Sequence, residues 1–256
     1  MNLDGIKVWV TRPGDQADQL CQLIKATGGE AIHFPTLEIT ITDNTSKARE
    51  KLRHAAEFTH VIFVSSNAVK FAQRLVPDLS SFLQEALVFA VGKGTREALE
   101  EMGIRHATYN SALGGSEGLL KLHALNDPAV SAARVLIVRG SDGRELLAEE
   151  LQRRGADVHY VEVYQRKKPP MDPARIAELW HDHKPDVVVV TSVEGLHNLI
   201  DLMGVEYREE LLNTDLVVIS DRVKNTALSL GFVSAPVVAT DTSDKGLLNA
   251  VLKKAE

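Results

Sequence analysis

The chain has 256 residues, a length that suits two domains better than one, with 44% hydrophobic and 25% charged residues, as in ordinary globular proteins. Its formal net charge of -6 disfavours duplex DNA and anionic membranes as partners, although locally grouped cations could still bind a small anion. The single cysteine, Cys21, excludes an intramolecular disulfide and has the spacing of a buried helix residue. The amino terminus has no signal-peptide pattern and no apolar run suits a membrane span, so we expect a cytoplasmic protein.

The first structural pattern of the chain returns in its second half. Residues 7–34 read as a buried strand, a polar turn, a helix and a second strand, and residues 134–161 repeat this order without a gap. Both predicted helices stop at a glycine in the C-cap position, Gly28 and Gly155. The repeat predicts two copies of one strand–helix–strand unit.

A second repeated unit follows each copy of the first. It begins with the apolar strands 60–64 and 186–190, each followed by hydroxyl residues and a helix, and continues with the strands 87–91 and 216–219. Near-continuous β-branched runs are typical of parallel strands that are buried on both faces. Alternating strands and helices therefore predict an α/β protein with parallel sheets covered on both sides.

Two segments outrun the strands before them and alternate polar with apolar residues. They are residues 34–41 and 161–166, and the second is followed by the boundary-like sequence of residues 167–170. Alternation favours an exposed two-stranded ribbon over the interior of a sheet. The pattern alone leaves open which copy of the first unit shares a sheet with which copy of the second.

Small, hydroxyl and cationic residues follow the predicted strands. Ligands of open parallel sheets bind beyond the carboxyl ends of the strands, where helix amino termini also favour anions. The candidate ligand-binding residues are Arg12, Ser65, Ser66, Asn67, Gly92, Lys93, Thr95, Arg139, Gly140, Thr191, Ser192 and Arg222. Each hydroxyl or amide alone could be a helix cap, but the whole set predicts an anion-binding face.

Three familiar motifs are incomplete. Residues 92–97 lack the third glycine of a dinucleotide-binding turn, and the preceding strand lacks the first glycine of a P-loop, which disfavours a nucleotide cofactor. Residues 114–118 match the G-x-S-x-G nucleophile elbow, but the repeat keeps the serine and not the first glycine, so we expect Ser116 and Ser243 to be helix N-caps. The nine histidines have no metal-ligand spacing.

The ordered set of motifs resembles the uroporphyrinogen-III synthase family. The segments that carry the resemblance are residues 8–13, 63–69, 91–95, 116–120 and 163–166. The resemblance implies two similar flavodoxin-like parallel-sheet domains joined by a two-stranded antiparallel ribbon. It assigns residues 1–36 and 168–256 to a discontinuous first domain and residues 37–167 to the second.

The resemblance also implies an activity, which is the closure of hydroxymethylbilane, a linear tetrapyrrole with eight carboxylates, to uroporphyrinogen III. The last pyrrole ring is inverted, water is lost, and neither a metal nor an organic cofactor is used. By motif position Tyr164, Thr95 and Ser66 correspond to site residues of the family. We expect Tyr164 to orient or protonate the leaving hydroxyl, and the alternative is a ribbon residue that packs against the hinge. Many relatives have Gly-x-x-Thr where this chain has residues 220–224, which contain no threonine. Arg222 or Lys224 is therefore assigned to the role of that threonine.

Two other functions stay open from the residues alone. The first is a two-lobed protein that binds a small anion without catalysis. The second is a flavodoxin-like electron carrier, which the 5% aromatic content and the lack of an aromatic-flanked phosphate loop disfavour. No long apolar helix face is left over, which favours a monomer. The preceding enzyme of the implied pathway is a candidate transient partner for substrate hand-over.

Overall fold

The computed structural model describes residues 2–141, 143 and 145–255. The chain forms two compact units, one made of Met1–Ile39 and Lys167–Glu256 and the other of Thr40–Arg166. The sequence analysis placed the boundaries after residues 36 and 167, whereas the units divide after residues 39 and 166. The chain therefore passes twice from one unit to the other.

Strands and helices alternate along the described chain. The strands are β1 (Lys7–Val10), β2 (Glu30–His33), β3 (Glu38–Ile41), β4 (His60–Phe63), β5 (Leu87–Ala90), β6 (Arg134–Gly140), β7 (Asp157–Lys167), β8 (Val187–Val190), β9 (Asp215–Val218) and β10 (Val237–Val238). The α-helices are α1 (Asp18–Ala26), α2 (Thr45–Arg53), α3 (Ser66–Leu75), α4 (Lys93–Glu101), α5 (Gly115–Leu119), α6 (Leu146–Arg153), α7 (Pro173–His183), α8 (Val193–Leu212), α9 (Asp221–Ser229) and α10 (Asp244–Lys254).

The first unit contains a parallel sheet in the order β10-β9-β8-β1-β2. Counted within the unit, this is the flavodoxin-like strand order 2-1-3-4-5. The sheet contains β1 and β2 from the first copy of the strand–helix–strand repeat, and β8 and β9 from the second copy of the other sequence repeat. The family resemblance implied this combination. The predicted fold class is confirmed.

Helices cover both faces of the first sheet, so its central strand β8 is apolar throughout and fully buried. On one face Trp9 stacks on Phe34 with ring centroids 4.3 Å apart, and its indole N–H donates to the backbone oxygen of His183 at 2.8 Å. On the other face Val8 and Val10 pack against α1 and α10. Cys21 is half-buried against this second layer, and burial raises the pKa of its thiol.

The second unit contains a sheet in the order β3-β7-β6-β4-β5. The pairs β4–β5, β4–β6 and β6–β7 are parallel, and β3 lies at the edge beside β7. Both passages of the chain between the units lie in β3 and β7, which are hydrogen-bonded neighbours, as a two-stranded connection requires.

The expectation that residues 161–166 lie outside the sheet is wrong. They belong to β7, which is continuous over Asp157–Lys167 and pairs with β6 as far as Tyr164. Val161, Val163 and Tyr164 are buried. The polar–apolar alternation therefore arises from a sheet strand that keeps only part of its side chains in contact with solvent.

None of the helices in the described residues is long and apolar enough to cross a membrane. Within that part of the chain, no group of three or more His, Cys, Asp or Glu side chains is arranged to hold a metal ion.

Candidate active site

A pocket of about 440 Å³ lies at the carboxyl ends of the strands in the second unit. Its walls come from the ends of β4, β5, β6 and β7 and from α5. The residues that line it are Val64, Ser65, Val91, Gly115, Ser116, Glu117, Ile137, Arg139, Gly140, Ser141, Gly143, Leu147, Tyr164 and Arg166. This is the edge at which open parallel sheets bind ligands.

A break in strand register brings Tyr164 to this pocket. Arg139 of β6 is opposite Glu162, but the next residue, Gly140, is opposite Tyr164, so Val163 is the additional residue on β7. Such a bulge changes the direction of the side chains that follow it. The backbone N–H of Ser141 donates to the Tyr164 carbonyl at 3.0 Å and keeps the two chains together beyond the bulge.

The ring of Tyr164 lies directly against the backbone of Gly140. A Cβ atom on residue 140 would be 2.5 Å from Cε2 and 2.6 Å from Cζ of the tyrosine, so any other residue would displace the ring. Phe71 of α3 packs near the same ring with centroids 5.8 Å apart. Tyr164 is 6% exposed and has little freedom to move.

The hydroxyl of Tyr164 is bound to Ser65. The two oxygens are 3.2 Å apart, and Ser65 Oγ also accepts the backbone N–H of Ala68 at 3.1 Å as the N-cap of α3. Because the serine oxygen already accepts one hydrogen bond, it can donate its own proton to the phenol oxygen. The tyrosine proton is then available to a ligand in the pocket.

Arg139 lines the pocket, but its guanidinium already has partners. Its side chain is only 6% exposed and donates to Glu145 Oε1 at 2.8 Å, to the Gly140 carbonyl at 3.1 Å and to the Gly143 carbonyl. The guanidinium also lies over the Tyr160 ring, 4.7 Å from its centroid. The sequence indicated a cation at this strand end, whereas the structure contains a charge-compensated group.

Tyr160 completes this arrangement by donating its hydroxyl proton to the second carboxylate oxygen of Glu145. The hydrogen bonds from Tyr160 and Arg139 hold the pKa of Glu145 below its ordinary value. Burial and then the bond to Glu145 raise the pKa of Tyr160 to about 12, so the phenol stays protonated at neutral pH.

The other predicted residues of this unit lie at the ends of β4 and β5. Ser66 and Asn67 are half-buried in the first turn of α3. Gly92 is the N-cap of α4, Lys93 is exposed and 3.5 Å from Glu97, and Thr95 is buried. Of the residues predicted in this unit, the pocket brings together Ser65, Arg139, Gly140 and Tyr164.

The remaining predicted residues lie at the carboxyl edge of the first unit's own sheet. Arg12 follows β1 and forms an ion pair with Asp244 in the first turn of α10. Thr191 follows β8, and Ser192 caps α8 by accepting the Gly195 N–H at 2.9 Å. Arg222 is exposed in the first turn of α9.

Four polar lining residues, Ser116, Glu117, Ser141 and Arg166, were not predicted as site residues. Ser116 was expected to cap a helix, which is wrong: α5 begins one residue earlier, at Gly115, and Gly114 is the N-cap. Gly115 has φ of +82°, a conformation that favours glycine. Because the helix begins at Gly115, Ser116 lies within it and not at its N-cap. The repeated serine, Ser243, is a cap as predicted and accepts the Gly246 N–H at 3.1 Å.

Comparisons of the sequence agree on one family. The model described as uroporphyrinogen-III synthase HemD matches residues 18–249. Uroporphyrinogen-III synthase of Escherichia coli is 33% identical over 254 residues, which cover 96% of this chain and all of that protein. The Salmonella typhimurium protein of the same name is 34% identical over 248 residues, with 96% and 100% covered.

Solved structures agree with the fold. Uroporphyrinogen-III synthetase from Helicobacter pylori aligns with a TM-score of 0.62 at 15% identity and covers 97% of this chain and 99% of its own. A mutant uroporphyrinogen III synthase from Thermus thermophilus aligns with a TM-score of 0.60 at 18% identity, with 98% of both chains covered. At these identities the structural likeness supports the fold alone.

Proposed function

The chain belongs to the uroporphyrinogen-III synthase family and is a cyclising hydro-lyase of tetrapyrrole biosynthesis, and we propose that the carboxyl-end pocket of its second unit supplies the proton donor for the reaction. The substrate of this activity is hydroxymethylbilane, and the product is uroporphyrinogen III. A two-lobed binding protein without catalysis is not favoured, since the family is defined by an enzyme.

The reaction begins with the loss of a hydroxyl group, which leaves as water once it receives a proton. A positioned weak acid can provide that proton. The electron-rich pyrrole stabilises the resulting azafulvene cation, so the protein needs no nucleophile. The last ring then attacks through its substituted carbon, and the spiro intermediate opens and closes again with the ring inverted. In the last step the ring carbon that forms the new bond loses its hydrogen as a proton. This proton replaces the one consumed at the start, so water is the only group released.

The observation that supports Tyr164 as the donor is its hydrogen bond to Ser65 at the wall of the pocket. The phenol is buried, its ring is held against Gly140, and Ser65 can orient the hydroxyl by donating to its oxygen. A tyrosine fixed in this way can give its proton to the departing hydroxyl and recover one when the ring closes.

Control of ring orientation requires that the flexible chain be held folded. We assign the binding of its carboxylates to the hydroxyls, backbone N–H groups and cations at the strand ends. In the second unit these are Ser66, Asn67, Gly92, Lys93 and Thr95 with Ser116 and Arg166 of the pocket. In the first unit they are Arg12, Thr191, Ser192 and Arg222, with Arg222 or Lys224 in the role of the family threonine.

We also propose that the protein works as a cytoplasmic monomer and receives its unstable substrate directly from the preceding enzyme of the pathway. The absence of a membrane-spanning helix among the described residues is compatible with this setting. Sedimentation of the purified protein at micromolar concentration tests the monomer, and a dimer mass would contradict it.

Incubation of the purified protein with hydroxymethylbilane tests the function. The porphyrinogens formed are oxidised, and the type I and type III isomers are separated by chromatography. We expect type III as the main product, with heat-denatured protein yielding the uninverted type I isomer. Formation of type I alone at the rate of the denatured control would contradict the function.

A further inference from the structure

We propose that Arg139, Glu145 and Tyr160, here called the Arg139 cluster, position Tyr164 for proton transfer and do not bind substrate themselves. This inference depends on the proposed role of Tyr164. It reassigns Arg139 from a substrate ligand to a positioning residue and adds Glu145 and Tyr160, which neither motif nor spacing indicates.

The cluster is a closed set of hydrogen bonds around a buried charge. Both oxygens of Glu145 are occupied, one by Arg139 at 2.8 Å and the other by the Tyr160 hydroxyl. The guanidinium lies over the Tyr160 ring, 4.7 Å from its centroid, which adds a cation–π contact. Since burial and Glu145 raise the pKa of Tyr160 to about 12, its hydroxyl remains protonated and donates this hydrogen bond over the neutral pH range.

The same guanidinium also binds the backbone of two glycines. It donates to the carbonyls of Gly140 and Gly143, and a Cβ atom on residue 143 would be only 2.6 Å from its Nε. Gly143 therefore lies directly against the Arg139 side chain. A substrate carboxylate could bind this guanidinium only by replacing Glu145 or these carbonyl contacts.

The backbone held by the cluster is the surface on which Tyr164 lies. The Gly140 carbonyl accepts a hydrogen bond from Arg139. The Gly140 backbone also lies so close to the Tyr164 ring that a Cβ atom on residue 140 would overlap with it. The next residue, Ser141, donates its N–H to the Tyr164 carbonyl at 3.0 Å. A shift of the Gly140 backbone therefore changes the position of the phenol in the pocket.

Tyr160→Phe tests the inference because it removes one hydroxyl of the cluster and keeps the ring under the guanidinium. We expect kcat for hydroxymethylbilane to fall about tenfold, since a misplacement well below 1 Å is sufficient for such a loss, with KM changed less than about twofold. Tyr109→Phe is the matched control, because Tyr109 lies in the same unit outside the cluster, and it should keep wild-type kcat.

A double-mutant cycle with Tyr164→Phe separates positioning from other roles. If the cluster acts through the Tyr164 hydroxyl, Tyr160→Phe should have almost no effect on kcat once that hydroxyl is absent. Independent losses that multiply in the double variant would overturn the inference, as would a Tyr160→Phe enzyme indistinguishable from Tyr109→Phe. Glu145→Gln, which keeps the shape of the carboxylate, should repeat the Tyr160→Phe result.

The cycle also distinguishes failure of this inference from failure of the proposed function. If the wild-type protein formed no type III isomer, the function itself would be wrong. If it formed that isomer and Tyr164→Phe had wild-type kcat, the function would stand and positioning of Tyr164 by the Arg139 cluster would be refuted.

Discussion

Gly140→Ala is the substitution whose effect can be worked out most directly from the structure. The new Cβ would be 2.5 Å from Cε2 of Tyr164, whereas carbon atoms in contact are normally about 3.5–4.0 Å apart. The ring would have to move by about 1 Å, a displacement that can cost about 100-fold in rate when it affects a reacting group. The expected loss in kcat is therefore between about tenfold and 100-fold.

The assay follows type III isomer formation by the purified enzyme at one fixed concentration, over a range of substrate concentrations. The added methyl group also overpacks the site, so we expect a loss of about 1–3 kcal/mol in the free energy of unfolding. Val61→Ala is a control of comparable stability, because Val61 is fully buried in β4 and its truncation costs about 2 kcal/mol. This control should keep wild-type kcat when it is assayed well below its melting temperature.

Three results would refute the reasoning on Gly140. The first is a Gly140→Ala enzyme with wild-type kcat, which would mean that the position of the Tyr164 ring is unimportant. The second is an equal loss of kcat in Val61→Ala, which would assign the effect to stability. The third is a large further loss when Gly140→Ala is combined with Tyr164→Phe, which would show that the methyl group acts on another part of the pocket.

Two further predictions concern the helix N-caps Ser65 and Ser243 and the buried histidine His60. Ser65→Ala and Ser243→Ala each remove one helix N-cap and should each cost about 1 kcal/mol in urea unfolding, but only Ser65→Ala should lower kcat, because it also removes the partner of Tyr164; equal kcat in both variants would contradict this role. Burial lowers the pKa of His60 from its ordinary value of 6.5, so the folded state binds fewer protons than the unfolded state. The contribution of His60 should be complete above about pH 6.5 and decline as the pH falls through the folded pKa, and urea unfolding of His60→Gln should show a shallower decline, whereas an unchanged profile would exclude this histidine as a cause.

The sheets could be predicted because the signal is local. The apolar runs 7–10, 60–64 and 186–190 require burial on both faces, and the repeat reveals that they belong to equivalent units. The pairing of β1 with β8 could not be derived from these runs, since every buried parallel strand has a similar composition. It followed from the resemblance to a family, and the strand order agrees with it.

The candidate site was only partly predictable, because its geometry depends on contacts between residues that are distant in sequence. Position at a strand end and a family motif were sufficient to select Ser65 and Tyr164. The bulge at Val163 depends on how β6 pairs with β7, and no residue pattern in the sequence indicates it. Arg139 looked like a free cation because its neutralisation by Glu145 arises from the fold of the chain after β6.

We propose above all that the Tyr164 hydroxyl donates its proton to the hydroxyl group that leaves as water. Replacement by phenylalanine removes that hydroxyl and keeps the ring against Gly140, so kcat for hydroxymethylbilane and affinity for the product can be compared in one variant. We predict a kcat reduced about tenfold to 100-fold, less than the largest general-acid effects because this leaving group departs readily, with product affinity nearly unchanged and type III still the main isomer. A Tyr164→Phe enzyme with wild-type kcat would contradict the claim and leave Tyr164 as a packing residue.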